Sequence, residues 1–60
     1  MSNFQYKTIY RVHREFKECK NLIEKLDYAK QLKKDQYDYY YDIDLDGVIR
    51  KLQNLIVINY

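Results

Sequence analysis

"YDYYYDIDLDG", residues 37–47, packs four tyrosines and four aspartates into a short run and closes on Gly47, the only glycine of the chain. Its reading decides the fold. Tyr37, Tyr39, Tyr41, Ile43 and Leu45 share one parity, and Asp38, Tyr40, Asp42, Asp44 and Asp46 share the other, which is the period-two segregation of a strand with one buried face. Asp46-Gly47 then offers two residues that tolerate positive φ, as the centre of a type I′ turn requires. With that loop Asp42 faces Lys51 across the ladder and Tyr41 faces Leu52, so the register is chemically consistent. The stretch predicts a β-hairpin.

Working outward, "NFQYKTIYRV" alternates Phe4, Tyr6, Thr8, Tyr10 and Val12 against Gln5, Lys7, Ile9 and Arg11, and its β-branched and aromatic residues predict a strand over 3–12. A helical spacing competes there, because Ile9, Val12, Phe16, Cys19, Ile23 and Leu26 also recur at three and four. From Arg14 to Lys34 the helical period takes over, with the apolar stripe continuing through Ala29 and Leu32 and with "KQLKK" placing cations in the last turn, where they oppose the helix dipole. Beyond Gly47 the residues Val48, Ile49, Leu52, Leu55 and Ile56 fit a helix face, while "NLIVINY" is rich in strand formers. The latter favours a strand after Gly47 and a final strand near 55–59.

The expected class is α+β, a single domain over 1–60 in which one amphipathic helix covers a small sheet, with strand–helix–β-hairpin order (βαββ-like). The alternative is a mostly α chain with a long N-terminal helix and a short C-terminal helix.

Sixty residues bury only about 60% of the surface their unfolded chain exposes, so the core is marginal and a staple or a partner is expected. Cys19 is the only cysteine, which excludes an internal disulfide and fits a reducing compartment. Neither a run of about 18 apolar residues nor the apolar stretch of a secretory signal is present, so a cytoplasmic location with no membrane contact is expected. Lys, Asn, Ile and Tyr outnumber Gly, Ala, Arg and Pro, the bias of AT-rich codons. It suggests a low-GC host or a mobile element within one, such as a phage.

Residues 42–53 resemble the calcium loop of the EF-hand family, with Asp42, Asp44 and Asp46 at its first, third and fifth positions and Gly47 at its sixth. The resemblance implies an ion held by those carboxylates and the Val48 carbonyl. The twelfth position is Gln53, where the family has a bidentate glutamate.

No enzymatic constellation accompanies these features. His13 is the only histidine and reads as a polar residue at the strand-to-helix junction, while Cys19 lies in the apolar stripe, where a thiol is inert. Neither catalytic residues nor cofactors are expected. Charge is segregated: residues 1–34 hold nine Lys/Arg against four Asp/Glu, residues 35–47 hold five Asp and no base, and Arg50 and Lys51 follow. Lys7, Arg11, Arg14 and Lys17 therefore form one candidate surface, for nucleic acid. The favoured surface is Asp38, Tyr40, Asp42 and Asp44, tyrosines alternating with carboxylates to dock a basic cleft on a larger protein. The chain is expected to be a small non-enzymatic binding module, an inhibitor or adaptor directed at a host defence or nucleic-acid enzyme, and to form a homodimer.

Overall fold

Thr8 starts the regular structure. Its backbone is extended and its hydroxyl accepts a hydrogen bond from the Arg11 N–H at 3.1 Å, so a first-turn donor with no intrahelical partner is satisfied. A computed structural model describes residues 6–59 and forms α1 over Ile9–Glu18, α2 over Leu22–Lys34, a single-turn α3 over Tyr37–Tyr40 and α4 over Leu45–Asn59. Among the described residues there is no strand.

The expected strand over 3–12 is overturned. Residues 3–5 lie outside the described residues, Tyr6, Lys7 and Thr8 have no regular structure, and the rest is helix. The Thr8 cap and the spacing of Ile9, Val12 and Phe16 prevail over β-propensity, which reflects fit to a half-buried pleated surface that never forms here. His13 consequently sits within α1 rather than at a junction.

The helix expected from Arg14 to Lys34 is broken in two. Cys19 is extended, at φ −62 and ψ 136. Asn21 then opens α2, its side chain accepting from the Glu24 N–H at 2.9 Å while the Glu24 carboxylate accepts from the Lys20 N–H at 3.0 Å. This is close to a capping box, a stronger start signal than the apolar stripe is a continuation signal. Lys25 stitches the break: its ammonium donates to the Phe16 carbonyl at 3.0 Å and lies 5.0 Å from the centre of the Phe16 ring.

The hairpin is overturned as well, and with it the α+β class and the final strand near 55–59. The decisive residue is Asp44, whose carboxylate accepts from the Gly47 N–H at 3.0 Å and whose carbonyl accepts from the Val48 N–H at 3.2 Å. Asp44 is thus the N-cap of α4, and Asp46 and Gly47 lie in its first turn instead of in a two-residue loop. The positive-φ residues are Gln36 (φ 65) and Asp42 (φ 56), which bracket α3, and not Gly47. The mostly α alternative has the class right, but its long N-terminal helix is interrupted and its C-terminal helix is the longest of the four.

α2 is the centre of the fold, and α1, α3 and α4 all pack on it. Val12 of α1, Ala29 and Leu32 of α2, Tyr37 of α3 and Leu45 and Leu52 of α4 are buried. Each large side chain among them contributes about 1.5–3 kcal/mol. Few residues share this load, so polar ties matter.

The tyrosines supply those ties by gripping the chain ahead of α1. The Lys7 N–H donates to the Tyr37 hydroxyl at 2.8 Å, and the Tyr41 hydroxyl donates to the Lys7 carbonyl. Tyr6 stacks on Tyr40 with ring centres 4.0 Å apart and meets Tyr37 edge-on at 4.9 Å. The Lys7 side chain continues the tie, its ammonium reaching Glu15 at 2.7 Å and lying 5.2 Å from the centre of the Tyr28 ring. Glu15 also accepts from Arg11 at 2.8 Å and from the Tyr28 hydroxyl at 2.6 Å.

Hydrogen bonds from Lys7, then Tyr28, then Arg11 pull the Glu15 carboxyl down from 4.5 to about 2. Burial and the bond to Glu15 push the Tyr28 hydroxyl up. A carboxylate depressed on folding contributes stability that is present above its unfolded value and is lost as pH falls through the folded one. Glu15→Gln is therefore expected to cost about 1–2 kcal/mol at pH 7, the range for bonds to a charged group with part of the interaction screened by water. Urea melts of wild type and variant should converge as pH falls from 4.5 towards about 2; a gap that does not change with pH would show that Glu15 acts by shape alone.

Candidate functional site

α1 and α4 lie against the same central helix and leave an apolar hollow between them. Ile9, Val12 and Phe16 of α1 form one wall and Leu45 and Val48 of α4 the other, with Ala29 and Leu32 of α2 as floor and Ile43 from the α3–α4 connection beside them. The hollow has a volume of about 480 Å³. It adjoins a second of about 280 Å³ lined by Phe16, Val48, Lys51, Leu52 and Leu55, and Phe16 and Val48 belong to both. Together they form a groove along both helices.

The same 3.6-residue period that faces Val12 to the core places Ile9 and Phe16 on the groove side, with Tyr10 and His13 exposed beside them. Lys17 follows His13 by one turn, and Lys51 stands on the facing helix. No carboxylate lines either hollow. The ion pairs among the described residues use other cations: Lys7 and Arg11 bind Glu15, and Lys33 binds Asp46 at 3.0 Å and Asp38 at 3.4 Å.

The acidic, tyrosine-rich stretch is arranged differently from the alternating face that its sequence suggests. Tyr37 is only 3% exposed, Asp38 accepts from Lys33, Tyr40 stacks on Tyr6, and Asp44 caps α4. Asp42 is exposed in a left-handed conformation, and Tyr39 is 88% exposed. A strand would have aligned Asp38, Tyr40, Asp42 and Asp44; a helical turn followed by a bend and a cap disperses them.

The other candidate sets are dispersed too. Asp44 is a cap and Asp46 pairs with Lys33, and no group of three or more His, Cys, Asp or Glu among the described residues could hold a metal ion. The calcium-loop positions Asp42, Asp44 and Asp46 therefore do not converge. Of the basic set, Lys7 and Arg11 are tied to Glu15, leaving Arg14 and Lys17 exposed. Cys19 is half-buried and its thiol donates to the Glu15 carbonyl at 3.4 Å. No helix among the described residues is long and apolar enough to cross a membrane.

Sequence reasoning missed the groove although it saw both walls. The spacings of Ile9, Val12 and Phe16 and of Val48, Leu52 and Leu55 were visible as competing helical patterns. No family model matches the chain, and no curated protein or solved structure matches it. The geometry alone carries the functional reading.

The α4 cap that builds one wall has a testable signature. A methyl group added at Gly47 would lie 2.3 Å from one Asp44 carboxylate oxygen, so Gly47→Ala displaces the cap even as it raises helix propensity. Replacing Asp44 with Ala should cost about 1 kcal/mol. In that background Gly47→Ala should stabilise by up to about 1 kcal/mol, whereas in wild type it should be neutral or destabilising. Additive effects across the four proteins in urea melts would remove Asp44 as the cap that constrains Gly47.

Proposed function

We propose that the chain is a non-enzymatic protein-binding module, an adaptor or inhibitor, that receives a segment of a larger protein in the groove between α1 and α4. The observation that supports this is an apolar trough lined by two helices and floored by Ala29, which is 0% exposed, and Leu32. Apolar surface rimmed by polar residues is a feature of interaction sites and binding grooves. The lone cysteine fits a reducing, cytoplasmic setting.

The occupant is a foreign segment in preference to a second copy. Groove-against-groove pairing of two copies is isologous, so the same two cation-bearing rims meet from both sides. Lys17 and Lys51 would then approach like charges with no carboxylate between them, which is unfavourable. Of the chain's own acidic stretch, Asp38 and Asp46 are paired with Lys33 and Asp44 is a cap, which leaves Asp42 to offset those lysines.

Peptides selected from a displayed random library against the full chain should shift the methyl resonances of Ala29, Leu32 and Val48. They should also lose at least about tenfold in affinity, or about 1.4 kcal/mol, for Val48→Glu, a variant that keeps its helical circular dichroism. Selected peptides that leave those methyls unmoved and respond instead to Asp42→Lys would move the binding site to the acidic stretch and end the groove reading.

A further inference from the structure

We propose that the segment entering this groove is an amphipathic helix whose flanks carry carboxylates. This rests on the docking reading above and names the partner's chemistry.

Three observations carry it. The first is the chemistry of the walls. α1 and α4 present side chains to the groove, and their backbone donors and acceptors are spent within the helices. An extended peptide laid there would bury its own N–H and C=O groups without partners, whereas a helix arrives with those groups already satisfied. Strand addition needs an open sheet edge, and the described residues contain no strand.

The second is size. At 1.5 Å per residue the walls run roughly 10 Å along α1, from Ile9 to Phe16, and roughly 15 Å along α4, from Leu45 to Leu55. That is about two to three helical turns, enough for apolar anchors at i, i+4 and i+7. Ala29 and Leu32 close the floor and are covered by the chain itself, so the surface an incoming helix meets is supplied by Ile9, Phe16 and Val48, whose side chains set the interaxial distance.

The third is charge. Lys51 borders the groove on α4 and Lys17 extends the Tyr10–His13 side of α1 by a turn. Neither lysine is in an ion pair among the described residues. A helix carrying Glu or Asp beside its apolar seam meets a cation on each side, while one carrying Lys or Arg meets repulsion at both.

Two synthetic peptides of about 16 residues, roughly 24 Å as helices, test the idea. They share a leucine seam at i, i+4, i+7 and i+11, and one carries Glu and the other Lys at the flanking positions, residues of similar helix propensity. The Glu peptide should bind the full chain at least about tenfold more tightly by fluorescence anisotropy. It should shift the Ala29 and Val48 methyls, become helical on binding, and lose its advantage as salt rises from about 50 to about 500 mM. Lys17→Glu combined with Lys51→Glu should reverse the order of the two peptides. If both bind wild type equally through the groove, the acidic flank is wrong and the docking reading stands. If neither moves the groove methyls, the docking reading itself fails. A bound peptide that is extended, or a groove already filled by a second copy in sedimentation at micromolar protein, also overturns the proposal. Should the double variant unfold, the comparison on wild type and Lys51→Gln decides by itself.

Discussion

Lys7 is where the chain is tied shut. Its amide is held by Tyr37, its carbonyl by Tyr41 and its ammonium by Glu15, so one residue without regular structure joins the start of α1 to α3 and to the middle of α1 itself. Backbone groups held this way cost ordering entropy of about 1–2 kcal/mol per residue. They return it only because the hydroxyls are themselves fixed, Tyr37 by burial and the tyrosine rings by one another, with Tyr40 and Tyr41 edge-on at 4.7 Å. A chain with one glycine and no proline has little other means of pinning a terminal segment. Within the run of tyrosines, Tyr37 and Tyr41 hold Lys7, while Tyr39 and Tyr40 remain exposed.

The groove follows from where α1 and α4 are held. The Glu15–Tyr28 bond and the Lys25–Phe16 contact tie α1 to α2, and the burial of Leu45 and Leu52 holds α4 against it, with the exposed Lys33–Asp46 pair adding little. Both helices touch α2 closely enough to bury Val12, Leu32, Leu45 and Leu52, and the space between them is left to Phe16 and Val48, which only partly fill it. Three helices can close on a common axis only if their apolar stripes are wide enough to meet pairwise. Here α2 meets both neighbours, and the facing sides of α1 and α4 end in Tyr10, His13 and Lys51, which remain solvated.

Much of this was legible in the sequence, but not from the signal with the cleanest pattern. Alternation over 37–46 satisfied a period of two for ten residues, yet Asp44 with its acceptor three residues before the Gly47 N–H was an equally local statement, and capping prevailed because α4 had Val48, Leu52 and Leu55 to bury once started. The apolar stripe of Phe16, Cys19, Leu22/Ile23 and Leu26 suggested a single helix. Asn21 and Glu24 held the contrary information, a start signal inside the stripe. Aromatic and β-branched residues carried β-propensity at 4–12 and 54–60, and propensity yields to tertiary packing when no second strand exists to pair with. The groove could not be read at all, since it depends on two separated segments sharing one face of a third.

A small domain that leaves an apolar trough open gives up stabilisation that closing it would supply, at about 25 cal/mol for each Å² kept from water. Lys7, just ahead of α1, is bonded to Tyr37 and Tyr41, so a rotation of α1 towards α4 that carried Lys7 with it would cost those bonds. The two halves of the sequence therefore have linked tasks. The tyrosine-rich stretch ties the segment ahead of α1 to α3, and on the proposed docking reading a partner that fills the trough would gain from a shape already fixed before it arrives. On that reading the internal hydroxyl bonds of Tyr37 and Tyr41 would enter the binding energetics even though neither residue lines the groove.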